Sequence, residues 1–381
     1  MNIDTPELAL IIAIVSQKSE LPISQELNWK YFIKLVIRHR IIEQVYLRIK
    51  DNQLVPEHIR QQFSEMCQKQ RMNLLMISAE TIRLSRVFSD AGLTYAVVKG
   101  IPLAIEAYGG ITQRQCKDID LWVDSHSWEQ AVSLMQSCGY QQTRPDYPLD
   151  AFKRDYYLTR NHDFEFFNSD KKVQVELMFK VSFLGVDFPD LVQLPRKTII
   201  INNKPIITLD DEYHLLLLII HGAIHAWHRL RWLLDIYLLI QLKKADLHKL
   251  LELSERFDCQ HMVVQCFYLL KTFFNLENEL INHEINNITR KNFKMANLLA
   301  QFVKTDYELT GGHGLFNRMF YKYRWYLLQI TPPRKRWQVV RHDLFKIDKT
   351  FKKLTFPTGW EFAHYLLYPL WVIKYIISRK F

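Results

Sequence analysis

The sequence has 381 residues, 48% hydrophobic and 24% charged, so it is long enough for two or three domains with buried cores and has the composition of an ordinary globular protein. Its 50 Lys and Arg residues against 40 Asp and Glu residues give a net charge of +10, which attracts phosphates, nucleic acid or anionic lipid without selecting among them. The five cysteines are odd in number and form no CxxC pair, which argues against a disulfide framework or a zinc site.

The first residues lack the basic segment of a signal peptide, and no uninterrupted apolar run reaches the ~18 to 20 residues of a transmembrane helix. We therefore expect a cytoplasmic protein with reduced thiols. Residues 1–90 form a mainly helical region in this interpretation. Pro56 begins its last helix, and Gly92 suits the position just after that helix ends. No chemical motif is found in this region.

A strand, a turn and a helix are predicted next. Tyr95–Val98 is a β-branched and aromatic strand, and Lys99 and Gly100 end it before a helix that contains Pro102 in its first turn. A second strand follows, in which Asp118 and Asp120 share one face because side chains alternate along a strand. Two carboxylates about 7 Å apart can converge on a divalent cation. In the alternative interpretation both are solvated at a strand end.

The sequence next predicts a capped helix and a β-hairpin. Ser127 with Gln130 forms a capping box at the helix start. The segments 162–167 and 173–179 alternate in polarity as two strands joined by a turn, and they would extend the sheet that carries Asp118 and Asp120. Glu176 lies on the polar face of the second strand, where the simplest interpretation is an exposed carboxylate.

A long helix is predicted from Tyr213 to at least Leu242, with acids in its first turn. Five of its residues lie near one stripe, at steps of four, three, four and three: His221, His225, His228, Trp232 and Asp235. A His-X3-His pair can bind zinc, but zinc takes three or four protein ligands and the sequence offers no further cluster. We favour a polar stripe that faces a cleft or is buried against the sheet.

The C-terminal part is helical, basic and aromatic. The segment 315–356 is rich in Lys, Arg and Trp, and we interpret it as a helical cap with solvated charges. An RNA-contacting patch and a membrane-surface segment are the alternatives, which we do not favour because no RNA-binding motif is present. The Gly-rich segment 310–314 follows no clear strand, so it is not interpreted as a phosphate loop.

Two motifs in this order resemble a family of uncharacterised bacterial nucleotidyltransferases with the polymerase-β-like fold. The first is the Lys99-Gly100 turn with Arg114 before the Asp118-Ile-Asp-Leu strand, and the second is the helix His221-Gly-Ala-Ile-His-Ala-Trp-His-Arg-Leu-Arg-Trp-Leu-Leu-Asp235. The resemblance covers roughly residues 90–240. It implies an α+β fold, with a small mixed sheet and flanking helices in a catalytic core (residues 91–208) between the N-terminal helical region and a C-terminal helical domain (residues 209–381).

The resemblance also implies a chemistry. A Mg²⁺-dependent enzyme of this kind transfers a nucleoside monophosphate from an NTP, here expected to be ATP, to an acceptor that the sequence does not identify, and it releases pyrophosphate. The implied catalytic and metal ligands are Asp118, Asp120 and Glu176, with Glu165 and Asp163 as alternatives for the third acid. The implied nucleotide-binding residues are Lys99, Gly100, Arg114, Lys117, His221 and His225.

Other outcomes remain open at this stage. Lys99 is a solvated strand end and Arg114 is paired with an acid if the phosphate site does not exist. As a separate alternative, the whole chain is a catalytically inactive member that binds a nucleotide or a partner protein.

Overall fold

A computed structural model describes residues 5–183, 186–305, 318–337, 340, 346–357 and 359–378. The fold is α+β, and a small mixed sheet lies among helices that precede, interrupt and follow it in the chain. This confirms the predicted fold class. The Gly-rich segment 310–314 and part of the basic segment 315–356 lie outside the described residues.

Four helices form the N-terminal region: Pro6–Val15 (α1), Trp29–His39 (α2), Ile42–Ile49 (α3) and Glu57–Asp90 (α4). The last of these spans 34 residues without a break. It begins directly after Pro56, as the sequence predicts, and Gly92 follows its end with a φ of +69°. Gly tolerates this left-handed conformation because it has no Cβ.

The central sheet has five strands in the order β1-β2-β5-β4-β3. These strands are Tyr95–Val98 (β1), Asp118–Val123 (β2), Gln141–Arg144 (β3), Asp163–Asn168 (β4) and Val173–Met178 (β5). The β2–β5 pair is parallel, and the other neighbouring pairs are antiparallel. Three helices lie between the strands in the chain: Gly100–Tyr108 (α5), Trp128–Ser137 (α6) and Ala151–Arg160 (α7).

The two faces of this sheet differ in character. Ile119, Leu121 and Val175 point to one face and belong to a hydrophobic cluster that includes residues of α4, α6 and α7. Their neighbours along the strands point to the other face, because side chains alternate. On that second face, Trp122 and Met178 join a larger cluster that contains residues of both the N-terminal and the C-terminal helices. The helices therefore cover the face that carries the acidic residues.

Short strands and further helices follow the sheet. The strands are Ser182–Phe183 (β6), Val186–Asp187 (β7), Arg196–Ile201 (β8) and Lys204–Leu209 (β9), each pair forming an antiparallel hairpin. The helices are Asp211–Ile224 (α8), Leu230–Gln241 (α9), Leu247–Arg256 (α10), Gln260–Phe274 (α11), Glu279–Asn286 (α12), Arg290–Lys304 (α13), Arg318–Ile330 (α14), Asp348–Phe351 (α15) and Ala363–Ser378 (α16). Within the described ranges, none of the helices combines the length and the apolarity that crossing a bilayer requires.

Two local predictions are wrong. The long helix predicted from Tyr213 to Leu242 is interrupted between α8 and α9. The capping box at α6 is absent: Ser127 is the N-cap, but its side chain makes no capping hydrogen bond. Asp124 organises this turn instead, because its Oδ1 accepts hydrogen bonds from the backbone N–H groups of His126 at 3.0 Å and Ser127 at 3.1 Å.

Candidate active site

The strand register brings three acidic residues to the same level of the sheet. Asp120 on β2 lies opposite Glu176 on β5, and Glu176 lies opposite Glu165 on β4. Residues paired across neighbouring strands point to the same face, so these carboxylates and that of Asp118 emerge together. Asp120 is buried on this face, and Asp118 and Glu176 are half-buried; these three residues are called the acidic cluster below.

Arg144 distinguishes the candidates for the third acid. Carboxylate oxygens of Asp163, Glu165 and Glu176 lie within 4.8 Å of one another. Two of these acids are held by Arg144, whose guanidinium nitrogens lie 2.5 Å from Asp163 and 2.8 Å from Glu165. Glu176 is the member of this group that also faces Asp120 across the strand pair. The geometry therefore favours Glu176 over Glu165 and Asp163.

Lys99 occupies the turn between β1 and α5 in an unusual conformation. Its φ is 60° and its ψ is −133°, a combination that costs energy for a residue with a Cβ and that persists only where surrounding contacts enforce it. The backbone N–H of Lys99 donates a hydrogen bond to Nε2 of the buried His214 at 3.1 Å. Its Nζ lies 2.6 Å from Oδ1 of Asp120. Lys99 is therefore a fixed, buried cation and not a solvated strand end.

Burial and close charges shift the pKa values of this cluster. Burial raises the pKa of Asp120, although the neighbouring ammonium group of Lys99 opposes the rise. Burial and the nearby Asp120 raise the pKa of Glu176 to about 8. Burial alone would lower the pKa of Lys99, but Asp120 and Glu176 outweigh it and raise that pKa. Carboxylate oxygens are the ligands that hard divalent cations prefer. Among the described residues, the group of three acids whose oxygens lie close enough together to share a cation is Asp163, Glu165 and Glu176, and it does not include Asp118 or Asp120.

Arg114 and Asp235 form a buried pair behind the cluster. Nε and Nη2 of Arg114 each donate to a different oxygen of Asp235 at 2.8 Å, and the Tyr108 hydroxyl donates to Oδ1 of the same carboxylate at 2.7 Å. The arginine face that a phosphate would use in a bidentate contact is therefore occupied by Asp235. The resemblance implies that Arg114 binds nucleotide, and in the structure its guanidinium is paired with the acid Asp235.

A tight turn replaces the middle of the predicted long helix. Ala226 and Trp227 adopt left-handed conformations, with φ values of 49° and 52°, and these end the α-helical path after Ile224. The fully buried Trp227 ring folds back onto Gly222, where a Cβ would lie 2.3 Å from a ring carbon. The sequence pattern does not reveal this break, because the apolar periodicity continues through both helices.

The turn gathers an aromatic group on one wall of the site. The ring centroids of His221 and His225 are 4.6 Å apart, and His225 stacks on Trp232 at 5.2 Å with an interplanar angle of 27°. Burial lowers the pKa of His225 to about 3 and that of His221 well below its usual value, so both rings are neutral. In the described part of the chain no histidine belongs to a group of three candidate metal ligands.

All nine residues assigned to the site from the sequence line one cavity of about 220 Å³. They are Lys99, Gly100, Arg114, Lys117, Asp118, Asp120, Glu176, His221 and His225. Their proximity is a structural observation, whereas their individual roles remain predictions. Gly100 has a φ of +40°, so the main chain there turns in a conformation that an added side chain disfavours.

Sequence reasoning missed several residues of this cavity. Arg231 and Arg40 line it, and burial beside Arg114 lowers the pKa of Arg231 to about 10. Arg231 lies within the second motif, directly before Trp232, so its position was available as a signal. Arg40 and the positioning residue His214 lie outside both motifs, and nothing local in the sequence marks them.

Comparison with known proteins adds the family. Residues 25–275 match the family described as uncharacterised nucleotidyltransferase, which is well over half of the chain and includes the entire cavity lining. The chain belongs to this family. Membership assigns nucleotidyl transfer as the general chemistry of this nucleotidyltransferase-family protein and leaves its substrates open.

Two further comparisons are less informative. No curated protein matches the chain. Among solved structures, an antigenic nucleotidyltransferase-like protein from Paracoccidioides brasiliensis is similar at 15% identity and a TM-score of 0.33, over 54% of this chain and 96% of that chain. A likeness of this size does not bear on the fold or the function.

Proposed function

We propose that the protein transfers a nucleoside monophosphate from a magnesium-bound NTP to an acceptor and releases pyrophosphate. One observation carries this proposal: Asp120 and Glu176 face each other across parallel strands, beside Asp118, with Lys99 Nζ 2.6 Å from Asp120. A cluster of carboxylates that shares one ammonium group in a buried site has the charge and the oxygen donors for a divalent cation.

The residues that line the cavity would take separate roles in this reaction. Asp118, Asp120 and Glu176 would hold magnesium, which when bound supplies charge stabilisation at the phosphates. The ammonium group of Lys99 and the main chain at Gly100 would contact the β- and γ-phosphates, since a glycine lets a phosphate approach the backbone closely. Arg231, which lines the same cavity, adds positive charge where the pyrophosphate leaving group develops negative charge.

The aromatic wall suits the nucleoside. His221 and His225 are neutral because burial lowers the pKa of each ring, and Trp232 packs against both. The guanidinium of Arg229 lies over the Trp232 ring at 5.6 Å. Flat rings beside a charged phosphate site match a nucleotide, which has a flat base at one end and phosphates at the other. Bases stack favourably on such rings. Lys117, which is exposed at the rim, would contact the phosphates from outside.

The experiment is a transfer assay. The purified protein is incubated with Mg²⁺, a cell extract and each α-³²P-labelled NTP in turn, beginning with ATP. The proposal predicts a labelled product that requires Mg²⁺ and that does not form with Asp118→Asn. NTP binding without any labelled product from any extract would contradict the transferase and would instead favour a nucleotide-binding module.

A further inference from the structure

A second cavity adjoins the candidate active site. It is an open groove of about 540 Å³ between α4 and the ends of the strands where β2 and β5 begin. Cys116 and Lys117 line both this groove and the active-site cavity. Asp118, the first residue of β2, follows them directly. A molecule held in this groove, called the α4 groove below, would therefore lie beside the start of β2, the strand that carries Asp118 and Asp120.

Gln70 lies in the wall of the α4 groove with an unmet requirement for hydrogen bonds. Its side chain is 8% exposed, and among the described residues neither its Nε2 nor its Oε1 has a partner. Gln115, in the same lining, has an unpartnered Oε1. Leaving such buried groups unpaired destabilises the protein. Both amide atoms are covered in the free chain, so a ligand that offers a donor and an acceptor, as a peptide bond does, would satisfy Gln70 once its side chain turns into the groove.

The charge of the groove is positive. Lys69, Lys171 and Lys172 line it together with Lys117, and no carboxylate does so in the described part of the chain. The buried Glu80 neutralises Lys171 at 2.9 Å. Lys69 and Lys172 form no ion pair with the described residues, so their charge remains available to an anionic ligand.

Apolar side chains complete the lining. Met76 is 51% exposed and Phe167 is 39% exposed, and Met66 lines the groove beside them. Methionines form adaptable apolar surfaces that accept side chains of different shapes. An open groove of this size, with apolar, amide and basic groups in one wall, suits an extended chain segment better than a small sugar, which proteins usually enclose.

We propose that the α4 groove binds the acceptor, and that the acceptor is an acidic peptide segment carrying a hydroxyl side chain. This rests on the proposed function. The hydroxyl oxygen would form a bond to the α-phosphorus of the NTP, and the bond from that phosphorus to the oxygen bridging the α- and β-phosphates would break. Pyrophosphate leaves with the electron pair of that bond, and the hydroxyl proton passes to solvent water.

The test uses the full-length protein and three probes. A fluorescein-labelled peptide of about twelve residues, rich in Asp and Glu with Leu and one Ser, is titrated by fluorescence anisotropy at low salt. A basic peptide of equal length and glucose 1-phosphate are the other arms, the latter as a competitor. The variants are Lys69→Glu, Lys172→Glu and Gln70→Leu, with the exposed Lys294→Glu on α13 as the matched charge-reversal control. Binding of Mg·ATP to every variant is measured in parallel by calorimetry.

The proposal predicts that the acidic peptide binds at least tenfold more tightly than the basic peptide. Each groove variant weakens that binding about tenfold or more, whereas Lys294→Glu and all Mg·ATP affinities stay at the wild-type value. Equal binding of both peptides, displacement of the acidic peptide by glucose 1-phosphate at similar affinity, or binding insensitive to the three variants would overturn it. Failure of Mg·ATP to bind, with peptide binding intact, would reject the proposed function and leave the peptide groove standing.

Discussion

The ammonium group of Lys99 lies 2.6 Å from a carboxylate oxygen of Asp120, and both side chains are largely buried. This single cation partly offsets the charge of a cluster that also contains Asp118 and Glu176. A residue that neutralises the acids in the free chain and contacts phosphate in the complex would change partners when nucleotide binds. This exchange has measurable consequences.

Lys99→Met should have opposite effects on two affinities. Without the competing ammonium group, Mg²⁺ alone should bind more tightly to the acids. Mg·ATP should bind about ten- to a hundredfold more weakly, because a charge-assisted hydrogen bond to phosphate contributes about 1.5–3 kcal/mol. Calorimetric titrations with Mg²⁺ and with Mg·ATP check both effects, with Lys294→Met as control. An unchanged affinity for Mg·ATP would remove Lys99 from the phosphate site.

Asp235→Ala should destabilise the protein strongly. It leaves the buried Arg114 without the carboxylate that accepts two hydrogen bonds at 2.8 Å. Breaking a buried ion pair by removing one partner costs about 3–5 kcal/mol. Urea denaturation should show this loss, and the double variant Arg114→Met with Asp235→Leu should recover a large part of it. If Asp235→Ala lowers the free energy of unfolding by only about 1 kcal/mol, well below the expected loss of about 3 kcal/mol, the pair is not structural.

Gly222→Ala should destabilise the turn between α8 and α9. The new methyl group would lie 2.3–2.6 Å from three carbons of the Trp227 ring, and overpacking of this kind costs about 1–3 kcal/mol. Thermal denaturation measures the loss. Combining Gly222→Ala with Trp227→Leu tests its origin: the glycine substitution should cost less in the Leu background than alone. Equal costs in both backgrounds would place the effect elsewhere.

His214 should make stability depend on pH. Burial, reinforced by Lys197 and Arg114, lowers the pKa of His214 to about 3. The unfolded chain binds a proton at this histidine below about pH 6.5 while the folded chain does not, so the contribution is lost as pH falls. Relative to His214→Gln, the wild type should lose about 1 kcal/mol more between pH 6.5 and 5.5. Urea denaturation at the two pH values checks this, and parallel losses would contradict the buried neutral state.

The local pattern of polar and apolar residues was sufficient to predict the strands but not every helix. β2 and β5 follow from alternating polarity, since one face of each strand is buried in an apolar cluster. The break after Ile224 was not predicted because it depends on the packing of the Trp227 ring against Gly222, a contact that hydrophobic periodicity does not encode. The capping box at Ser127 failed because Asp124 satisfies the same turn.

The candidate site, too, could be predicted only in part from the sequence. Asp118 and Asp120 could be proposed because they lie on the polar face of a predictable strand and within a recognised motif, whereas Glu176 lies outside both motifs and could be proposed only from the polar face of β5. The Arg114–Asp235 pair joins residues 121 positions apart in the sequence, so only the tertiary fold reveals that Asp235 occupies this guanidinium. His214 was missed for the same reason, because its contact is with the backbone of Lys99, 115 residues away.

The central claim is that the acids of β2 bind the nucleotide through magnesium. Asp118 is half-buried and forms no ion pair with the described residues, so Asp118→Asn removes an oxygen ligand with little structural cost. The decisive measurement is calorimetric titration of wild type, Asp118→Asn and the exposed control Asp155→Asn with Mg·ATP. Our account predicts Mg²⁺-dependent binding to wild type and control, and at least tenfold weaker binding to Asp118→Asn at an unchanged melting temperature. Wild-type affinity in Asp118→Asn, or no dependence on Mg²⁺, would contradict it.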